Sequence, residues 1–559
     1  MLTLRPRAAR TVIGSGLAEE PFVARPRFGW RPRTRAPLPI VIPAVLVAAG
    51  MLVPLLYLLY RTSQAGTDVV DFVWRERTAL VLRNTSVLAA AVGATATAIA
   101  VPFAWLTARS DLPWRRFWST VAALPLVVPS YVGALTVVAA LGPRGLVQDA
   151  LSGPFGIERL PEIYGFFGAW LTLSLFTYPY VFLSVRAALR GLDPSMEEAA
   201  RCLGHGAWRT FFLTTLPQLR PAIAAGGLLT ALYTISDFGV VTLLRYDAFT
   251  RAIYVQYKAS FDRSFAAALA LMLVIFAVSV LLVESWIRGR AAYYRVGSGV
   301  ARRIRPVSLG RWRYPAVGFC AVVIGLGLGL PLTVLVYWLL KGISAGEGTE
   351  HLLTAAIHSV TVSGWAALAA TLAALPVAIL AVRYNGWFGR WSERLSYLGY
   401  ALPGIVIALA FVFLGANYLN PIYQTLPLMV IAYVVRFLPQ AMGGARTSLL
   451  QISPRLEEAA RGLGRSSLGA VRTVTVPLAR PGLAAGAALV FLTVMKELPI
   501  TLLLSPTEYR TLATLIWTAA GSGSFGQAAA PALILVAISA VPTLLLVARD
   551  RGPVPRAEG

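Results

Sequence analysis

Apolar residues in this chain come in long, nearly uninterrupted runs, not in the short alternation that gives a strand or a surface helix one wet face. Runs of about 20 residues suffice to cross a bilayer as a helix. They predict spans near 38–60, 84–108, 117–141, 163–185, 222–245, 265–287, 315–340, 357–382, 395–418, 426–445, 482–504 and 525–548. Proline and glycine fall inside these runs, as membrane helices tolerate, because neighbouring helices and Ser/Thr side chains satisfy the backbone groups they free. The pattern predicts an all-α polytopic membrane protein with about twelve transmembrane helices.

The polar connections add an orientation. Lys and Arg number 50 against 25 Asp and Glu, and they gather in stretches such as Arg5 to Arg35, Arg109 to Arg116, Arg288 to Arg313 and Arg549 to Arg556. With the N-terminus inside, all of these face the cytoplasm, where positive charge is retained. Both termini are therefore expected there, in a bacterial cytoplasmic (inner) membrane. The excess charge of +25 reads as topology, so no nucleic-acid partner is expected. The first apolar run lacks a small-residue cleavage site and reads as a retained signal anchor. No outer loop is long enough to fold a receptor domain. Cys202, Cys320, His205, His351 and His358 match no metal-ligand spacing.

The chain also repeats itself. The segment DPSMEEAARCLGHGAWRTFFLTTLPQLRPAI near 193–221 returns as SPRLEEAARGLGRSSLGAVRTVTVPLARPGL near 453–481, at a constant offset of 260 residues (198 to 458, 204 to 464, 217 to 477). Upstream, Pro102 and Pro376, then Pro129 and Pro403, are offset by 274, which places 14 extra residues between Gly142 and Trp170. Six spans per copy return the chain to the same side, so the halves are parallel repeats. The expected organisation is a basic cytoplasmic segment (1–37), a first repeat (38–287), a cytoplasmic linker (288–314), a second repeat (315–548) and a tail (549–559).

Each duplicated loop has the ingredients of a compact knob. Asp193-Pro194 and Ser453-Pro454 offer a capping oxygen followed by proline at the first helical position. Glu197 with Arg201, and Glu457 with Arg461, stand four residues apart and can pair along one helix face. Gly204 and Gly464 permit a turn with positive φ.

These segments resemble the EAA loop of ABC importer permeases, whose pattern runs Glu-Ala-Ala, three residues, Gly, nine residues, a branched apolar residue, one residue, Leu-Pro. Glu198, Ala199, Ala200, Gly204, Leu216 and Pro217 match in one copy, and Glu458, Ala459, Ala460, Gly464, Val474 and Pro477 in the other. Thr214 and Val476 depart from it. The resemblance implies the type I ABC importer permease fold, with each loop seated in one of two copies of a cytoplasmic ABC ATPase. It implies Glu197, Glu198, Ala199, Ala200, Gly204, Pro217, Glu457, Glu458, Ala459, Ala460, Gly464 and Pro477 as docking residues, and a separate extracytoplasmic binding protein as cargo donor. None of Lys258, Lys341 and Lys496 follows a glycine-rich phosphate loop, so ATP and Mg belong to the partner, and the chain itself is expected to bind no cofactor.

Ionisable residues inside spans are costly and are functional suspects. Asp237 and Glu497 are repeat-equivalent, with Lys496 beside the second, and are candidates for the pathway or its gate. The alternative reading is that they satisfy nearby backbone groups or, with Lys496 and Arg436, glue helices together. Within the family, SDFGVVTLLRYDAFTRAIY and MKELPITLLLSPTEYRTLATLIW most resemble ferric-iron permeases, followed by fused thiamine permeases and then polyamine, sulfate or phosphonate systems. A twelve-helix carrier driven by protons or sodium shares the six-plus-six repeat but has no use for two matched docking loops.

Overall fold

The computed structural model describes residues 36–549 apart from 65, 144, 157–160, 193–194, 260–262, 289–305, 347–350 and 385. The basic N-terminal segment, most of the linker, the tail and the Asp193-Pro194 cap lie outside the described residues.

Among the described residues the chain is helical, with no strand and one isolated bridge, Ser110 to Val307. Among the described residues nine helices are long and apolar enough to cross a membrane, or ten if a pair bent by 104° (Trp387–Ala401 and Gly404–Tyr418) is one span. The two remaining expected spans are helical as well. One, Leu216–Ser236, stops at Asp237, and the described apolar part of the other runs only over Phe525–Val541.

Each half is built around the same three helices. Glu76–Arg109, Phe166–Gly191 and Leu216–Ser236 pack on one another in the first half, as do Leu352–Ile379, Leu426–Gln451 and Val476–Met495 in the second. Close approach depends on small residues, as it does where the surroundings supply no hydrophobic drive between helices. A Cβ on Gly226 would lie 2.6 Å from Val181 Cα, and one on the equivalent Gly486 would lie 3.3 Å from Ala441 Cα. The shared crossing point fixes how the third helix, which continues from the loop, leans on the second.

The spans expected over 117–141 and 395–418 are not straight. In the first, the helix Arg115–Val121 and a 3-10 turn, Leu124–Val127, precede Ser130–Leu141. In the second, the break falls before Gly404. Pro129 (ψ 143°) and Pro403 (ψ 147°) sit extended at the start of the second member of each pair. Neither has an N–H to continue a helix, and each biases the residue before it away from the α region.

A second pair of breaks cuts the spans expected over 222–245 and 482–504. Leu216–Ser236 is followed by Gly239–Leu243, and Val476–Met495 by Pro499–Leu504, with Asp237 and Glu497 at the two gaps.

Candidate functional site

The duplicated loops fold alike. The helix Ser195–Cys202 in the first half and Pro454–Gly462 in the second are each followed, two residues on, by a glycine with φ of +84° (Gly204) and +85° (Gly464). That conformation lets the next amide turn back: His205 N donates to Ala200 O at 3.1 Å, and Arg465 N to Ala460 O at 3.1 Å. A side chain at this φ would be strained, which is why glycine occupies both positions. The turn leaves Leu203 78% and Leu463 86% exposed at the tip, with Met196 and Leu456 exposed alongside. The sequence pattern did not single out these leucines. Only the turn geometry shows that they are presented outward.

Pro217 and Pro477 each follow one turn of π-helix, Phe211–Thr215 and Val471–Thr475. There the amides of Leu216 and Val476 reach Phe211 O and Val471 O, five residues back. Such bulges gather at functional sites.

Two local expectations are corrected. The Ser453 side chain makes no capping hydrogen bond, although Pro454 does open the helix. Glu197 and Glu457 are half-buried and turn away from Arg201 and Arg461, towards arginines of other helices. Arg109 Nη2 lies 3.8 Å from Glu197 Oε1 and donates to Leu189 O at 2.9 Å. Arg383 Nε donates to Glu457 Oε1 at 2.7 Å, and its Nη2 to Ile452 O at 3.1 Å. A buried guanidinium with carboxylate and carbonyl acceptors outcompetes an exposed helix-face pair. Glu198, Ala199, Glu458 and Ala459 remain exposed, whereas Ala200 packs inward. Arg109 and Arg383 are offset by 274 residues, a spacing that relates them just as it relates the prolines.

The intramembrane carboxylates occupy matched sockets. Asp237 is buried; its Oδ1 accepts from Val240 N at 2.8 Å and its Oδ2 from Ser130 Oγ at 2.5 Å. Glu497 Oε1 accepts from the equivalent amide, Ile500 N, at 3.5 Å. Both carbonyls accept from threonines, Thr250 and Thr501, at 2.6 Å. Where the first half has Ser130, the second has Gly404, 274 residues on, and a Cβ there would stand 2.5 Å from Glu497 Oε1. The shorter acid is met by a hydroxyl and the longer acid by empty space, so both carboxylates reach the same socket. Asp237 and Arg436 lie close enough to Glu497 to act on its charge, and Glu497 in turn acts on the Tyr131 and Tyr433 hydroxyls. Lys496 Nζ donates to Leu126 O at 2.9 Å, joining the second half to the broken span of the first. Arg436 instead donates to Leu402 O. Among the described residues no group of three or more His, Cys, Asp or Glu is placed to hold a metal ion.

Two equivalent sets of spans, each with a projecting loop, and paired carboxylates at the helix breaks define a fused, two-unit membrane permease. The chain belongs to the family of binding-protein-dependent transport system inner membrane components, whose pattern it matches twice, over residues 100–292 and 366–552. It is similar to the Fe(3+)-transport system permease protein FbpB 2 of Haemophilus influenzae, at 35% identity over 518 residues, covering 92% of this chain and 98% of that one. It also resembles the ferric transport system permease protein FbpB of Actinobacillus pleuropneumoniae, at 27% identity over 85% of this chain and 72% of that one. A third relative, the molybdenum transport system permease protein ModB of Escherichia coli, is 32% identical over 191 residues, 33% of this chain and 82% of its own. That relative corresponds to a single half.

Proposed function

We propose that this permease imports ferric iron, received from an extracytoplasmic binding protein and driven by two copies of a cytoplasmic ABC ATPase that use ATP and Mg. The carrying observation is the similarity that runs through nearly the whole of a ferric permease from Haemophilus influenzae. In this reading the twin loops lie on the cytoplasmic face with both termini, as the distribution of arginine favours. Their exposed Leu203 and Leu463, together with Glu198 and Glu458, seat in grooves of the ATPase pair. Closure of that pair then drives the halves between two arrangements, the differential interaction that coupling requires.

Asp237 and Glu497 are the cargo-facing carboxylates of the pathway, and Lys496 is a gate whose bond to Leu126 O holds the halves together. Carboxylates and nearby tyrosine hydroxyls suit a hard, oxygen-seeking cation. Passing cargo onward favours few ligands over a tight cage. The test is radiolabelled ferric uptake, with its binding protein and ATPase, by Asp237→Asn combined with Glu497→Gln. Uptake should collapse while ATPase binding stays intact, and wild-type uptake by this variant would refute the pathway role. Thiamine transported in place of iron by the wild-type system would reassign the cargo and leave the machine unchanged.

A further inference from the structure

Each loop is tied to the membrane bundle by a three-residue brace built on Glu197 or Glu457, which the resemblance implies as docking residues but which face inward, so that docking is left to the exposed Glu198 and Glu458 of the Glu-Ala-Ala motif. In the second half Glu457 Oε1 accepts from Arg383 Nε at 2.7 Å and from Thr475 Oγ1 at 2.7 Å. In the first half Glu197 Oε1 accepts from Thr215 Oγ1 at 3.1 Å, with Arg109 Nη2 at 3.8 Å. One carboxylate thereby joins three elements: the first helix of the loop, the π turn of its second helix, and the end of a membrane-spanning helix. The arginine also holds the carbonyl just before the loop, at Leu192 (3.4 Å) or its repeat-equivalent Ile452 (3.1 Å).

We propose that Arg383–Glu457–Thr475 and Arg109–Glu197–Thr215 are positioning residues that carry displacement of the docked loop to the ends of the spans Leu352–Tyr384 and Glu76–Arg109. The proposal rests on the ATPase-docking reading above. The same chemistry at equivalent positions of two diverged halves argues for a shared duty. A link made of a half-buried carboxylate with a buried arginine is also stiff, because parting the two leaves a charge uncompensated.

The two links differ in kind. Arg109 is 1% exposed and stands 3.8 Å from Glu197 Oε1, where Arg383 stands 2.7 Å from Glu457 Oε1, so the first ion pair is the looser one. There, Trp105 of the spanning helix stacks on Trp208 (centroids 6.4 Å apart) and meets Phe211 edge-on at 5.9 Å. The second half has Ile379 and Leu468 where the first has Trp105 and Trp208. The first loop is therefore braced mainly by aromatic contact and the second by the ion pair.

The test uses the complete complex in proteoliposomes, reading ATPase binding, thermal stability, ATP turnover and ferric ion imported per ATP. Glu457→Gln should bind the ATPase as the wild type does yet lower import per ATP by about fivefold or more, the scale of a lost coupling interaction. Glu197→Gln should lower it less, and Trp105→Ala more than Glu197→Gln. Arg383→Met with Glu457→Leu removes both charges, so no orphan charge threatens folding; it should keep its melting temperature and lose coupling. Normal import per ATP in that pair variant overturns the proposal, and so does loss of ATPase binding in Glu457→Gln, which makes Glu457 a docking residue. Failure of the wild-type permease to bind any ATPase would instead remove the docking reading itself.

Discussion

Replacing Gly204 and Gly464 by alanine isolates the contribution of one backbone angle to docking. A Cβ built at either position meets nothing within 4 Å, so alanine causes no clash. The whole cost comes from φ of +84° and +85°, a region that an L-residue enters at roughly 1–2 kcal/mol. Leaving it breaks the 3.1 Å bonds to Ala200 O and Ala460 O and redirects Leu203 and Leu463. The competent loop is then depopulated roughly 5- to 30-fold per site, and the two losses multiply when both loops must seat the ATPase pair in one binding event. Titration of the ATPase onto nanodisc-embedded permease should show that weakening while the permease's own melting temperature stays put. Asparagine, which tolerates the left-handed region, should bind close to wild type. Wild-type affinity in the double alanine variant, or asparagine as damaging as alanine, would refute the backbone argument.

The remaining predictions concern the tip and the sockets. Leu203→Ser and Leu463→Ser should each cost about 1.5–3 kcal/mol of ATPase binding, the worth of burying one such side chain, with no change in thermal stability; unchanged affinity would remove the leucines from the interface. Gly404→Ser should abolish uptake by crowding Glu497, and adding Glu497→Asp should restore it by recreating the arrangement of Ser130 and Asp237. Failure of that rescue would mean that the sockets are not equivalent. Lys496→Met should remove about 1–3 kcal/mol of contact between the halves and raise ATP-independent cargo leak in liposomes, whereas a tight variant would deny Lys496 a gating role.

Much of the architecture was legible because it is repetitive. The helical class, the duplicated loops and their positive-φ glycines follow from apolar run length and a fixed 260-residue offset. The loop braces were not, for a physical reason: Arg109 belongs to a basic stretch that topology explains as a group, and only tertiary packing turns that one arginine inward while Arg115 and Arg116 stay exposed. Its repeat counterpart Arg383 lies at the other offset, beyond the 14-residue insertion, so aligning the loops alone does not bring the two together. The breaks at Asp237 and Glu497 were hidden because the apolar run resumes within a residue or two on either side, and such a run does not reveal where a side chain takes over a backbone partner. Pro129 and Pro403 were visible, but a membrane proline can kink a helix or end it, and neighbouring helices decide which.

The compensation between Ser130 with Asp237 and Gly404 with Glu497 bears on which parts of the two halves are interchangeable. The loops are built to one template, so exchanging 195–217 with 455–477 should yield a working machine, apart from the aromatic stack under the first. The sockets are not modular: moving either acid without its counterpart on the broken span brings a gap or a collision. Lys496, whose counterpart is Ser236, bonds to the opposite half, so a chain made of the first half twice would lack that clasp. The two halves of the chain are thus complementary hands, each supplying a contact that the other lacks.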